Sequence, residues 1–398
     1  MRIGMMADAY KPYVSGITNY IDLNKRHLER AGHDVYVFTF GDLDFEDGEP
    51  RVIRSPGLPL QDTGFYLSFR YSREAKRLLQ TMEVIHVHHP FLSGRLALRY
   101  ARPLRIPVIF TNHTRYDLYA QAYLPRMPEE ISEGLLKAYM PSFCKAVDLV
   151  ISPSKGVEKI LRQLEVDSPI EVVPNGVELG RFLTAAPLSR ADFGFNANDV
   201  LLIYVGRLGP EKNLNFLLRA FNGVAQAFDN VHLLILGKGP AQEELETLAS
   251  DLGLAGRVRF EGMIPYERLP AYLAMCDAFV TASVTEVHPL SVIEAMGAGL
   301  PVLGVRSPGV GDTVTDGETG FLTEEDPIAY AVKMTRLVTE PDLRKKLGAA
   351  SREASGNYAI ERTTRIMLRY YETLVREAEP RHRGLRFRFQ ELMEQFKR

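Results

Sequence analysis

Cysteine is scarce: Cys144 and Cys276 are the only two in 398 residues. They lie far apart in apolar surroundings, which argues against a disulfide framework or a cysteine-based zinc site and fits a reducing cytoplasm. An excess of either charge is also missing. A formal net charge of -2 gives no reason to expect a general nucleic-acid partner and selects no other. Apolar runs stop well short of a membrane span. The opening stretch, Met1 to Asp8, reads as a short strand cut off by Asp8 and lacks the apolar centre of a signal peptide. No sequence repeat links the two halves of the chain.

What is present is length for roughly two to three domains, each with its own core. Residues 2 to 7 are apolar and lead into the turn-rich loop Asp8 to Gly16. Helical spacing then runs from Ile17 to Arg30, stops at Gly32, and is followed by the strand Val35 to Phe40. Strand, loop, helix, strand is the order of a parallel α/β sheet. Val84 to His88, Pro107 to Thr111 and Leu149 to Ser152 read as further parallel strands, and Ile170 to Val177 closes the half with a Pro-Asn-Gly turn. The pattern restarts at Val200 to Val205 and recurs at Val231 to Leu236, Val258 to Phe260, Ala278 to Thr281 and Val302 to Val305. The expected fold is therefore α/β, with two Rossmann-like parallel-sheet domains, residues 1–180 and 181–358, facing across a cleft. Loops after strands in both halves should line that cleft, since open α/β sheets bind ligands beyond the carboxyl ends of their strands. Residues 359–398 are expected to form helices returning toward the first domain, with a separate basic and apolar tail after Pro380. That tail either lies on an anionic membrane or docks on the body of the protein.

The most informative stretch runs from Thr281 to Val302 and carries Glu286 and Glu294. Pro289 suits the first position of a helix, which is expected over Pro289 to Met296, with Glu286 in the preceding loop and Glu294 inside. The unpaired amides of Leu290 and Ser291 would then face the cleft, a natural place for a phosphate. The plain alternative is a solvated pair of charges favoured by the helix dipole. Against it stands the apolar character of the helix, Val292, Ile293, Ala295 and Met296.

Upstream, Tyr204 to Asn213 leaves a buried strand and enters a helix, holding Arg207 and Lys212 at the strand end. A guanidinium and an ammonium fixed there suit a diphosphate, although alone they would be ordinary surface charge. His113 follows the strand ending at Phe110 and is a candidate for positioning a reacting group opposite Glu286, or else a satisfied loop histidine. The run His86-Val-His-His89 lacks an evident fourth metal ligand, and strand alternation sends His86 and His88 to one side and His89 to the other. No metal is expected there; His88 and His89 are instead candidates for an acceptor pocket. Asp42 and Asp44 have the spacing of a metal-nucleotide pair but sit in the acidic loop Gly41 to Glu49, which reads as a solvated face.

Taken together, these motifs resemble the retaining glycosyltransferases that use nucleotide-sugar donors and have the two-domain GT-B architecture. The resemblance spans nearly the whole chain, from Asp8–Gly16 and Gly32-His-Asp-Val35 through Pro174-Asn-Gly-Val177, Gly206-Arg207, Glu211-Lys-Asn213, Gly237-Lys-Gly-Pro240, the Glu286/Glu294 pair and Asp316–Phe321. It implies that Gly16 lets the first-domain loop approach the donor diphosphate and that Arg207 and Lys212 neutralise it. Glu286 would hold sugar hydroxyls, Glu294 the ribose, and His113 the sugar near the reacting carbon. It also implies a UDP-hexose co-substrate, no cofactor and no metal. One departure is His288-Pro289-Leu290, where the family commonly has Phe-Gly-Leu. An amide is lost at Pro289, and His288 either recognises a sugar hydroxyl or fills the space of the phenylalanine.

A narrower resemblance, to enzymes that glycosylate diacylglycerol at the inner membrane face, rests on Val87 to Gly94, His113-Thr-Arg-Tyr116 and Phe143 to Ser154. It places Tyr116 with His88 and His89 on the acceptor side. Basic and apolar residues mingle at Phe65 to Arg77, Arg95 to Arg105 and in the tail, as suits a cytoplasmic protein resting on anionic lipid. The expected activity is transfer of a hexose to a lipid hydroxyl. A soluble acceptor such as inositol or a sugar, nucleotide-sugar epimerisation and non-catalytic binding are the alternatives.

Overall fold

A computed structural model describes residues 1–395 other than 14, 61–65, 117 and 119–128; side chains are described outside 129–132 and 379–395. The aliphatic runs become two parallel sheets. The first contains β1 (Arg2–Met6), β2 (Asp34–Phe40) and β3 (Val52–Ser55); a small antiparallel pair, β4 (Leu58–Pro59) and β5 (Tyr66–Leu67), stands apart. The first sheet continues with β6 (Val84–Val87), β7 (Val108–Thr111), β8 (Leu149–Ser152) and β9 (Ile170–Val172). Its order is β3-β2-β1-β6-β7-β8-β9.

The second sheet holds β10 (Val200–Val205), β11 (Val231–Leu236), β12 (Val258–Gly262), β13 (Ala278–Thr281), β14 (Val302–Val305) and β15 (Gly320–Thr323), in the order β12-β11-β10-β13-β14-β15. Strands in such sheets are covered on both faces, which is why they read as unbroken apolar runs. Alternate residues feed separate cores: Leu202 and Tyr204 of β10 pack in one layer, Leu201 and Ile203 in the other. The first sheet does the same, sending Met6 to one side and Ile3 and Met5 to the other.

Two helix expectations change. The helix after Glu286 spans Leu290–Gly297, and Pro289 is its cap, because its ψ of 113° is extended and not helical. The last helix, Ile360–Gln395, runs through Pro380 without a break. Proline costs a helix one hydrogen bond and a clash with the preceding turn, but the flanking Arg, Leu, Glu and Gln residues are strong helix formers and keep the backbone helical. The side chains of the expected membrane tail lie outside the described residues. Nearer its start the same helix packs on the first sheet through Met367 and Tyr371, and the Thr364 hydroxyl donates to Asn24 Oδ1 at 3.2 Å.

Candidate active site

The second sheet reverses its order at β10, which lies between β11 and β13. A crevice forms beyond the carboxyl ends of such strands, and the loops after β10 and β13 fill it with charge. Directly after β10 the backbone packs on the loop after β11: Gly206 N–H donates to the Leu236 carbonyl at 3.0 Å and Leu208 N–H to that of Lys238 at 3.1 Å. A Cβ on Gly237 would strike the Gly206 carbonyl, and Gly237 has a φ of +139°. No other residue fits this approach.

Pro210–Lys212 forms a single 3-10 turn ended by Asn213 at φ 53°, a left-handed position that asparagine tolerates. Asn213 Nδ2 donates to Glu325 at 2.7 Å. Glu211 is buried, and its carbonyl accepts from the hydroxyls of Ser283 and Thr285 at 3.5 and 3.4 Å. These ties fix Lys212, whose Nζ donates to Glu286 Oε1 at 2.7 Å. Glu286 is braced from behind, since its carbonyl accepts from Gly309 N–H at 2.9 Å and a Cβ on Gly309 would collide there. Arg207 lies exposed at the end of β10. Leu290 and Ser291 begin the helix, and no side chain caps it, so their amides are open to an anion.

Glu294 lies one helix turn deeper and is buried. Its Oε1 accepts from the Tyr266 hydroxyl at 2.7 Å. Burial pushes its carboxyl up to about 7, against the pull of the Tyr266 hydrogen bond. His288 lies at the crossing between the two halves. It is buried, its carbonyl accepts from Asn175 Nδ2 at 3.2 Å, and its ring meets Tyr358 edge-on at 5.1 Å. These contacts pack it between the two halves, and its ring Nδ1 is buried without a hydrogen-bond partner among the described residues. Nearby, Gly156 N–H donates to Asp312 Oδ2 at 2.5 Å, joining helix Lys155–Gln163 of the first half to helix Pro308–Thr313 of the second.

The first sheet reverses at β1, between β2 and β6, and its crevice is furnished differently. Asp8 after β1 accepts from Ser93 N–H at 2.7 Å and gives its own N–H to His89 Nδ1 at 3.2 Å. The rings of His86 and His88 lie on one side, 4.2 Å apart, as alternation requires. His86 is bonded to the Tyr371 hydroxyl at 2.6 Å and the Thr111 hydroxyl at 2.7 Å. His88 Nδ1 meets His113 Nε2 at 3.1 Å. His88 is fully buried and His89 is 6% exposed. His86, His88 and His89 crowd beneath the strand ends, and His113, 8% exposed, is their neighbour after β7. Tyr116 packs edge-on against Phe91 at 5.1 Å, next to the start of helix Leu92–Ala101. Gly16 opens helix Gly16–Arg30 behind the cap Ser15; a Cβ there would meet nothing within 4 Å among the described residues, so none of their atoms dictates the glycine. Asp42 and Asp44 are exposed.

Tyr266, Asn175, Gly309 and Tyr371 were not singled out as site residues by the sequence. Tyr371 is legible only as an apolar position of its helix, and Tyr266 lies in a loop without periodicity, 28 residues from Glu294. Their roles come from long-range packing.

Two doubly wound sheets with a charged crevice in one define the GT-B class of glycosyltransferases. The Glycosyltransferase Family 4 profile matches residues 14–181 and that of Glycosyl transferases group 1 matches residues 186–354. Alpha-monoglucosyldiacylglycerol synthase of Streptococcus pneumoniae is 32% identical over 359 residues, covering 87% of this chain and 80% of that protein. The chain belongs to this glycosyltransferase family. Among solved structures, sucrose-phosphate synthase from Thermosynechococcus elongatus superposes with a TM-score of 0.76 at 24% identity, covering 94% of this chain and 98% of that one. HepE of Anabaena, in complex with UDP-glucose, gives a TM-score of 0.72 at 20% identity over 94% of this chain and all of that one.

Proposed function

We propose that this glycosyltransferase moves a hexose from a UDP-sugar to diacylglycerol with retention of anomeric configuration, on the surface of an anionic membrane. The observation that carries the donor half is the Lys212–Glu286 pair, 2.7 Å apart at the switch point of the second sheet, with Glu294 buried behind it. On this reading Arg207, Lys212 and the amides of Leu290 and Ser291 take up the charge that builds on the departing diphosphate. Glu286 accepts from sugar hydroxyls and Glu294 from the ribose diol. The acceptor oxygen bonds to the anomeric carbon on the face from which the diphosphate departs, and its proton goes to a phosphate oxygen. No enzyme nucleophile or metal takes part in this route.

The lipid half is supported by the name of the Streptococcus pneumoniae relative and by the surface of the first domain. The basic and apolar segments around residues 66–77 and 95–105 meet at one groove of about 560 Å³, lined by Phe69, Arg70, Lys76, Arg99, Tyr100 and Leu104. Phe69 is 72% exposed. Exposed aromatic residues among cations suit a peripheral contact with anionic lipid. No helix among the described residues is long and apolar enough to cross a membrane.

The test is to offer radiolabelled UDP-hexoses with diacylglycerol in anionic vesicles, with inositol or sugars, and with no acceptor. Label should enter the lipid, and EDTA should not stop it. Label only in a soluble acceptor would overturn the lipid reading, and conversion of the donor alone would make the protein an epimerase.

A further inference from the structure

We propose that His88 is the positioning residue that decides which nitrogen of His113 carries the proton, so that His113 meets its ligand as an Nδ1–H donor and takes no proton in transfer. The proposal rests on the placement of His113 in the transfer site described above.

His88 Nδ1 and His113 Nε2 are 3.1 Å apart, so one of them carries the shared hydrogen. The choice is fixed on the far side of His88. Its Nε2 is buried and has no hydrogen-bond partner among the described residues; the ring is enclosed by Tyr20, edge-on at 5.6 Å, and by His86 at 4.2 Å. His86 gives it no help, since both of its ring nitrogens are taken by Tyr371 and Thr111. If His113 donated, His88 would have to keep its proton on Nε2, leaving an N–H buried without an acceptor. If His88 donates through Nδ1, only a lone pair is left unpaired. Orphaned buried N–H groups are rarer in proteins than under-used acceptors, so the second arrangement is the stable one. His113 then accepts at Nε2 and carries its own proton on Nδ1.

Both rings are neutral in this arrangement; burial, and then the neighbouring imidazoles, hold His88 and His113 well below the ordinary histidine range. His113 is also held in orientation by Tyr20, whose ring lies 4.7 Å from its own. With Nε2 occupied and Nδ1 protonated, His113 offers a hydrogen bond to a sugar or acceptor oxygen and has no basic nitrogen left. Tyr371 of the last helix supports the assembly from below through His86.

Long-range ¹H–¹⁵N spectra of the histidine rings in the full chain read the tautomers directly. His88 and His113 are both expected to be protonated on Nδ1; an Nε2-protonated His113 would overturn the proposal. Activity supplies a second arm. His88→Phe should lower kcat about 10- to 100-fold with little change in the donor KM. His88→Asn, whose amide N–H projects near the position of Nδ1, should restore most of the loss. His88→Gln, whose amide reaches toward Nε2, should not. Equal rescue by both amides, or full kcat in His88→Phe, would contradict a positioning role. A His113→Ala variant with undiminished transfer would overturn the placement of His113, and with it the catalytic half of this proposal, while leaving the tautomer spectrum to judge the rest.

Discussion

The two switch points of this molecule share one topology and hold opposite chemistry. In the second sheet the crevice is ionic: Lys212 and Glu286 pair at its mouth, 16% and 21% exposed, and Arg207 lies exposed just after β10. In the first sheet, apart from the buried Asp8, it is built from uncharged groups: His86, His88, His89 and His113 with Tyr20, Thr111 and Tyr371. Charge can be kept at the second site because it is partly solvated and paired; the histidines of the first are buried deeply enough that their neutral forms win. A diphosphate needs compensating charge, whereas a hydroxyl acceptor and a sugar carbon need only shaped, neutral contacts. On the function proposed above, the same fold would separate the two substrates by electrostatics.

Removing charge from the ionic side should do the most damage. Glu286→Ala and Lys212→Ala should each cut kcat/KM for transfer roughly 100- to 1,000-fold with nearly unchanged melting temperature, and the double variant should cost far less than the product of the two. Near-normal turnover in either single variant would remove the ionic half of the comparison.

Adding charge to the neutral side should destabilise the fold. Burial pushes His86 down to about 3 from an ordinary 6.5. A depressed histidine contributes stability that is complete above pH 6.5 and is lost as pH falls toward the folded value, so His86 alone should cost about 2 kcal/mol at pH 5. His88 and His113 are shifted in the same direction. Calorimetry from pH 7.5 to 4.5 should show the melting temperature dropping steeply below pH 6.5; a flat profile would mean that the cluster is not held neutral.

Glu294 sharpens the contrast because it is the donor side's buried member. Its carboxyl titrates near 7, and a ribose diol favours the carboxylate, so UDP binding at pH 7 should release a fraction of a proton, measurable by calorimetry in buffers of different ionisation enthalpy. Glu294→Gln should weaken UDP about 10-fold and abolish the proton release. The smallest effect is expected at the crossing. His288→Phe removes a buried ring nitrogen that has no partner among the described residues and should stabilise the protein by about 1 kcal/mol, while kcat/KM for the donor changes less than about 3-fold. Altered donor selectivity would return donor choice to His288.

Much of the ionic side was legible in the sequence, because its residues lie in short local motifs. Gly206-Arg207, Glu211-Lys-Asn213 and the stretch from Glu286 to Glu294 each follow one strand, so a strand ending and a helix beginning were enough to place them. The Gly237 turn and the left-handed Asn213 had local conformational causes of the same kind. The neutral side was harder to read. His88 and His113 are 25 residues apart and meet only because β6 and β7 pair; Tyr371 reaches His86 across 285 residues. Burial of His88 comes from Tyr20, His86 and His113 around it, which no local pattern announces, and Pro380 misled because helix propensity on both sides outweighed it.

On the proposed route a sugar held by Glu286 leaves a diphosphate neutralised by Lys212 and joins its acceptor on one and the same face. The coupling constant of the anomeric proton in the glycolipid made from a UDP-hexose and diacylglycerol tests this most directly. The account predicts the α-configuration of the donor in the product; a β-linked product would contradict it.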